Sequence, residues 1–290
     1  SACADLVVVV VVLFGVGRAH EQYVYPDFAG VAHSTNHYPT EHLQPEDGVA
    51  LVALGLGRVV ASRSSNYSEG DLVQGVTGWQ DYFVLHENAK GYARLPADPG
   101  IPLPTLLGAA GMSGVTAYYG MTDIAPVQAG ETLVVSAAAG SVGSIAGQIG
   151  NIMGARVVGI AGGADKCQMA TEVYGFDACV DYKADGWRDR LSDALPAGLS
   201  VFFENVSADR AMLALTHARI YARGVLCGLV DAYHTEAQSQ HPLNAGMIIG
   251  KRAQLSGLVV YDFYPRWDEY IAEAAPWISS GQLKFCEDRA

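Results

Sequence analysis

Cations are scarce in this 290-residue chain. Its 18 lysines and arginines face 30 aspartates and glutamates, a formal net charge of −12. A surface that neutralises nucleic-acid phosphates needs the opposite balance, which excludes a general nucleic-acid binder but not a local basic pocket for a small phosphate ligand. Cysteine is scarce as well. Cys3, Cys167, Cys179, Cys227 and Cys286 form no Cys-x-x-Cys pair, and their odd number fits a reducing, cytoplasmic setting better than a disulfide framework. Long apolar runs are missing: the longest, residues 6–14 (LVVVVVVLF), falls well short of the roughly 20 residues of a bilayer-spanning helix. That run carries no basic leader and no clear cleavage site, so it reads as a buried strand and not as a signal peptide. No internal repeat stands out.

What is present is alternation. From Glu131 onward the segments ETLVVSA, ARVVGIA, ACVDY, LSVFFENV, ARGVLCGLV and QLSGLVV read as strands. Between them SVGSIAGQIGNIM, ADKCQMATEVYG, GWRDRLSDAL, SADRAMLALTHA and PLNAGMIIGKR read as helices. Apolar strands alternating with helices predict parallel βαβ units and a doubly wound α/β sheet of the Rossmann kind. The first hundred residues are instead rich in glycine, histidine and short apolar runs, with GDLVQGVTGWQDYFVL reading as two short strands around a turn. They form a separate β-rich domain. The proline-rich DPGIPLPT is the joint, which puts the domains at residues 1–105 and 106–280, with 281–290 returning toward the first.

The stretch VSAAAGSVGSIAGQIG, residues 135–150, runs from a strand into a helix through a glycine turn. Dinucleotide-binding proteins place Gly-x-Gly-x-x-Gly there, one glycine for the turn, one to admit the pyrophosphate and one for close packing of helix on strand. Gly140 and Gly143 keep the last two roles, while Ala138 replaces the first and can serve if its φ is negative. Helix amides beyond Gly140 then face the pyrophosphate. The alternative is that these glycines serve packing alone. An NAD enzyme usually carries an acid at the end of its second strand to hold the ribose 2′-hydroxyl. Here that strand ends in IAGGADKC, with Gly162 and Gly163 at the tip and Lys166 in the next turn. Small residues and a lysine favour NADPH over NADH. Asp165 beside the lysine argues the other way, and Lys166 also reads as an ordinary solvated lysine.

AAAGSVGSIAGQIG, VVGIAGGADKC, ATEVYGFDACVDYKAD, FFENV, LCGLVDAY and KRAQLSGLVV, together with GDLVQGVTGWQDY and LGAAGMSGVTAYYGM, resemble the zinc-independent medium-chain reductases. The nearest pattern is that of the NADPH-dependent curcumin reductases, beside the prostaglandin reductases and plant alkenal double-bond reductases. The likeness runs from about Arg58 to Glu287. It implies a GroES-like catalytic domain and a Rossmann domain with the active cleft between them, NADPH as cofactor, and a homodimer. It also implies site residues. Gly140, Ser141, Val142 and Gly143 match the pyrophosphate turn. Lys166 and Tyr182 match the 2′-phosphate contacts, beside Gly162. Asn205, Cys227 and Gly228 fall where the family approaches the cofactor, and Met112, Thr116 and Tyr118 where it lines the nicotinamide. Tyr261 matches a tyrosine placed beside the substrate carbonyl. Two departures stand out. The family's Asp-Pro-Tyr-x-Arg-Gly motif is replaced by FGVGRAHEQYVYPDF, with Tyr23 or Tyr25 as stand-ins, and the family pattern runs on past the position of Ala290.

The implied reaction is NADPH-dependent reduction of a carbon–carbon double bond in an α,β-unsaturated ketone or aldehyde, with a tyrosine hydroxyl steadying the enolate. A zinc dehydrogenase is disfavoured because Cys3 is the only cysteine before Thr105. The run HSTNHYPTEH, holding His33, His37 and His42, reads as a solvated loop, and His20 and His86 complete no ligand set. A quinone reductase and a non-catalytic NADPH-binding relative remain open. The aromatic run VVYDFYPRWDEY fits either a wall for a conjugated substrate or a surface helix with buried aromatics.

Overall fold

The computed structural model describes residues 6–12, 54–76, 82–87, 89, 92–95, 100–232 and 244–286. His20, His33, His37, His42, Tyr23 and Tyr25 lie outside the described residues. The chain divides into two compact units, one of Ser1–Leu107 with Cys286–Ala290, the other of Gly108–Phe285.

The first unit holds an antiparallel sheet of β1 (Leu6–Val12), β2 (Leu54–Ser62), β3 (Leu72–Val76), β4 (Tyr82–His86) and β5 (Ala93–Leu95), in the order β4-β1-β2-β3-β5. The valine run is β1, paired on one side with β2 and on the other with β4. β-branched residues suit a strand with two neighbours, because their stiff side chains pack on a pleated surface. β3 and β4 are the two strands expected in GDLVQGVTGWQDYFVL, but β2 and β1 lie between them, so they do not pair. In β4 Phe83 and Leu85 are buried while Tyr82 and Val84 are exposed, the alternation of a sheet with one covered face. Phe83 and Leu85 share a core with Val59 and Val73.

The second unit carries a six-stranded, all-parallel sheet. Its strands are β6 (Thr132–Ser136), β7 (Arg156–Ala161), β8 (Ala178–Asp181), β9 (Leu199–Glu204), β10 (Ala218–Leu226) and β11 (Gln254–Gly257), in the order β11-β10-β9-β6-β7-β8. The helices are α1 (Met112–Tyr119), α2 (Ser141–Ile152), α3 (Ala164–Gln168), α4 (Trp187–Ala194), α5 (Ala208–Thr216), α6 (Ala245–Lys251) and α7 (Trp267–Ser279). Leu133, Val135, Val201 and Phe203 join α2 residues Ile145 and Ile149 in one core. Their strand neighbours Val134 and Phe202 enter the other, with Leu191 of α4 and Ala211 and Leu215 of α5. Successive side chains on a strand point to opposite faces, so nearly unbroken apolar strands are what a sheet covered on both sides requires.

After β6 the chain winds outward through β7 and β8, then returns to lay β9, β10 and β11 on the other side. The direction reverses between β6 and β9, and ligands of open α/β sheets bind in the crevice at the C-terminal strand ends of such a reversal. Several elements differ from the sequence reading. β10 begins at Ala218, four residues early, because it holds a bulge in which Tyr221 takes φ +67. β11 stops at Gly257, three residues short of the expected Val260. The helix after β7 leaves α geometry at Met169 for one π turn to Val173. Among the described residues no helix is long and apolar enough to cross a membrane.

Candidate functional site

The turn after β6 is built from alanine and glycine. Ala137 takes the left-handed φ of +49, so the tight turn falls one residue before Ala138. Ala138 is free of positive φ, as its replacement of glycine requires, and is buried with its amide donating to Ile160 O at 3.1 Å. The Gly140 amide closes the corner on Ala137 O at 2.8 Å. A Cβ on Gly143 would sit 2.3 Å from that same oxygen, and one on Gly140 would sit 3.1 Å from it. Only glycine lets the first turn of α2 approach this closely. Gly140 is the N-cap of α2, and no side chain caps the helix. Ser141, Val142 and Gly143 therefore present first-turn amides at the positive end of a 12-residue helix, an arrangement that holds anions.

One strand further, Gly163 has φ +107 and its amide donates to Asp181 Oδ1 at 2.8 Å. The same oxygen accepts the Lys183 amide at 2.9 Å, and these two backbone bonds hold the Asp181 carboxyl below the usual carboxylate range. A Cβ on Gly162 would meet the Tyr182 hydroxyl at 2.8 Å, so glycine here makes room for that ring. Lys166 and Asp165 are both exposed on α3, the helix that starts after Gly163.

At the reversal itself, the Asn205 amide donates to Ser136 Oγ at 2.8 Å and its side-chain Nδ2 to Ser136 O at 2.9 Å, joining the ends of β9 and β6. The amides of Cys227 and Gly228 donate to Glu204 O at 2.9 and 3.3 Å. Burial pushes the Cys227 thiol up to about 12, with the nearby Glu204 adding to it.

On α1, the Thr116 hydroxyl donates to Met112 O at 2.7 Å. The Tyr118 ring centroid lies 5.2 Å from Tyr270 and 6.4 Å from Trp277 of α7, and Met112, Tyr118 and Tyr261 pack against one cluster. Tyr261 lies in the 3-10 turn Val260–Arg266 that follows β11, edge-on to Tyr264 at 5.4 Å. Burial raises its phenol above the ordinary value. VVYDFYPRWDEY is thus a 3-10 turn leading into α7, with Trp267 and Tyr270 buried and anchored to Ala110 O and Ala109 O. All the strands being parallel, these groups line one edge of the sheet. Tyr182 follows β8, the glycine corner follows β6, and Tyr261 follows β11, five strand spacings or about 24 Å from β8.

Residues 141–280 match the zinc-binding dehydrogenase family. The NADPH-dependent curcumin reductase of Escherichia coli K12 is 39% identical over 246 residues, covering 83% of this chain and 70% of the relative. The NADP(+)-dependent 2-alkenal reductase of Nicotiana tabacum is 33% identical, with 84% and 70% covered. The crystal structure of CurA in complex with NADPH from Vibrio vulnificus superposes with a TM-score of 0.75 at 30% identity, covering 98% of this chain and 82% of that one. The chain belongs to the medium-chain dehydrogenase/reductase family.

Three groups of this medium-chain reductase escape a reading of its sequence. Asp181 is one: the VDYK segment shows an acid at a strand end, but its two amide partners appear only in the fold. Glu204 is another. It is buried, accepts the amides of Val206 and Ser207 at 2.7 and 2.9 Å, and has its carboxyl raised by burial to about 7 despite those bonds and the nearby Ser136 and Arg210. The third is Arg210, whose guanidinium carbon lies 4.0 Å from the centroid of the Tyr182 ring. Among the described residues no group of three or more His, Cys, Asp or Glu side chains is placed to hold a metal ion.

Proposed function

We propose that this chain is an NADPH-dependent reductase of carbon–carbon double bonds conjugated to a ketone or aldehyde. The observation that carries the proposal is the sequence of groups along one sheet edge: a small-residue turn with Lys166 and Tyr182, then an uncapped glycine corner, then Tyr261 after the far strand. The residues present fit the cofactor. Gly140 and Gly143 let the first turn of α2 pack closely on Ala137 O, and the first-turn amides of α2 suit a pyrophosphate. Gly163, with nothing within 4 Å of where its Cβ would lie, leaves space for a 2′-phosphate, with Lys166 as its counter-charge. Cys227 and Gly228 follow β10, between the corner and Tyr261, and Met112 and Thr116 complete the nicotinamide end.

When bound, NADPH supplies the hydride, which is delivered to the β-carbon of the acceptor. The protein's own part is orientation and charge. Asn205 ties β9 to β6, which fixes the width of the crevice where the cofactor is to lie. The Tyr261 hydroxyl donates a hydrogen bond to the substrate carbonyl oxygen, an interaction that strengthens as negative charge builds there. That phenol is protonated at neutral pH, so it donates without first taking up a proton. Water protonates the α-carbon. A homodimer in the cytoplasm belongs to the same proposal, and sedimentation of the purified chain tests the assembly.

The test of function is NADPH oxidation against a panel of enones, 2-alkenals and quinones. Turnover of enones and alkenals well above quinones supports the reading. Turnover of quinones alone replaces it with a quinone reductase, and NADPH binding without turnover of any acceptor replaces it with a cofactor-binding relative.

A further inference from the structure

Arg210 sits in the first turn of α5, whose N-cap Ser207 accepts its backbone amide at 3.3 Å. Its guanidinium carbon lies over the Tyr182 ring, 4.0 Å from the centroid, while Gly162 lies against the hydroxyl end of that ring. The guanidinium also lies near the Glu204 carboxyl, whose pKa it helps to lower. Its Nη1 is buried and has no hydrogen-bond partner among the described residues. Buried donors are almost always paired in native proteins, and a charged donor left alone is costly, so an unpaired one calls for a specific reason. An anionic ligand is such a reason. In a chain of net charge −12, an anion site has to carry its own cations.

The placement narrows the ligand. α3, with Lys166, packs on β7 and β8 from the face that α2 covers, while α5 belongs to the core on the opposite face. Tyr182, at the end of β8, packs with the α5 core while its hydroxyl end reaches Gly162. A phosphate monoester at the Gly162–Gly163 turn thus meets Lys166 on one side and the Tyr182–Arg210 stack on the other. A planar guanidinium suits phosphate because its N–H groups match two oxygens at once, and stacking on an aromatic ring holds that plane in place.

We infer that Arg210 is a second cationic ligand for the 2′-phosphate of the cofactor, opposite Lys166 and positioned by the Tyr182 ring. The inference rests on the NADPH reading above. It makes Arg210 a specificity residue: it contributes to NADPH and nothing to NADH, which lacks the phosphate.

The experiment measures dissociation constants of NADPH and NADH by tryptophan fluorescence for the full chain and for Arg210→Ala, Arg210→Gln, Arg210→Lys and Lys166→Ala. Circular dichroism verifies that each variant is folded. Arg210→Ala and Arg210→Gln should each weaken NADPH about tenfold to a hundredfold and leave NADH within about twofold, a loss like that of Lys166→Ala. Arg210→Lys should recover part of the affinity. Arg210→Gln keeps a planar group over Tyr182, so a loss there is a loss of charge and not of packing. Raising the salt concentration should narrow the gap between parent and variant. Equal losses for both cofactors, or an NADPH affinity that does not change in a parent that binds NADPH, overturns this inference alone. A parent that binds neither cofactor overturns the NADPH reading and this inference with it.

Discussion

At pH 8 the Glu204→Gln variant should be more stable than the parent chain, and at pH 4.5 that advantage should be gone. Glu204 is buried at the end of β9, and burial lifts its carboxyl from an ordinary 4.5 to about 7. A shift of that size separates the two protonation states by about 3 kcal/mol. The sign follows from proton counts. Between pH 4.5 and 7 the folded chain holds a proton on Glu204 that the unfolded chain has released, so stability falls as pH rises. The contribution is fully present below 4.5 and is lost as pH passes through about 7. Glutamine imitates the protonated form, since its carbonyl oxygen can accept the Val206 and Ser207 amides. Groups common to both proteins cancel in the comparison. The stability of the parent minus that of the variant should therefore drop by about 3 kcal/mol from pH 4.5 to 8. Urea unfolding followed by fluorescence reads this, because Trp187, Trp267 and Trp277 all lie in the same unit as Glu204. A difference that stays flat across that range refutes the reasoning. It would mean that the two amides, with Arg210 and Ser136, hold the carboxylate charged in the fold.

Three further outcomes are expected. Tyr261→Phe should slow hydride transfer to an enone about tenfold or more, with NADPH affinity changed by less than about twofold; stopped-flow absorbance at saturating NADPH measures the step, and an unchanged rate removes Tyr261 from the reaction. Gly143→Ala places a methyl 2.3 Å from Ala137 O, so the first turn of α2 must shift. That overpacking should cost about 1–3 kcal/mol in urea unfolding and weaken NADPH at least tenfold, whereas normal affinity would separate the corner from the cofactor. Activity should survive prolonged chelation, because Cys3 is the only cysteine before Thr105; loss of turnover that zinc restores would show a metal at work.

The parallel sheet could be read from the sequence because its two covered faces demand nearly continuous apolar strands, and LVVS, VVGIA and SVFFE have no other use. The glycine corner was legible for a similar reason: Gly140 and Gly143 answer a close approach that few other residues allow. What escaped depends on residues far apart in the chain. Arg210 looks like any solvated cation on a helix until the fold lays it over Tyr182. Glu204 shows itself in FFENV as an acid after apolar residues, but the Ser136 hydroxyl that meets it lies 68 positions earlier. The early start of β10 was hidden because a bulge centred on Tyr221 breaks the alternation that marks a strand.

The reversal of strand order also bears on how the unit is assembled. Leu133 of β6 pairs with Val157 only 24 residues on, but its other partner, Val201, is 68 residues away. Closing the longer loop costs about 1 kcal/mol more in chain entropy than closing the shorter one. The β6–β7–β8 half is therefore the cheaper one to form. The seam between β6 and β9 is the joint whose formation weighs most on the folding rate, since non-local pairing is what slows parallel sheets. Asn205 fastens that seam to Ser136, and the glycine corner lies directly beside it. A ligand gripping the corner from both halves works as a splint on the costliest joint in the sheet, so the cofactor that serves the chemistry should also guard the fold against opening.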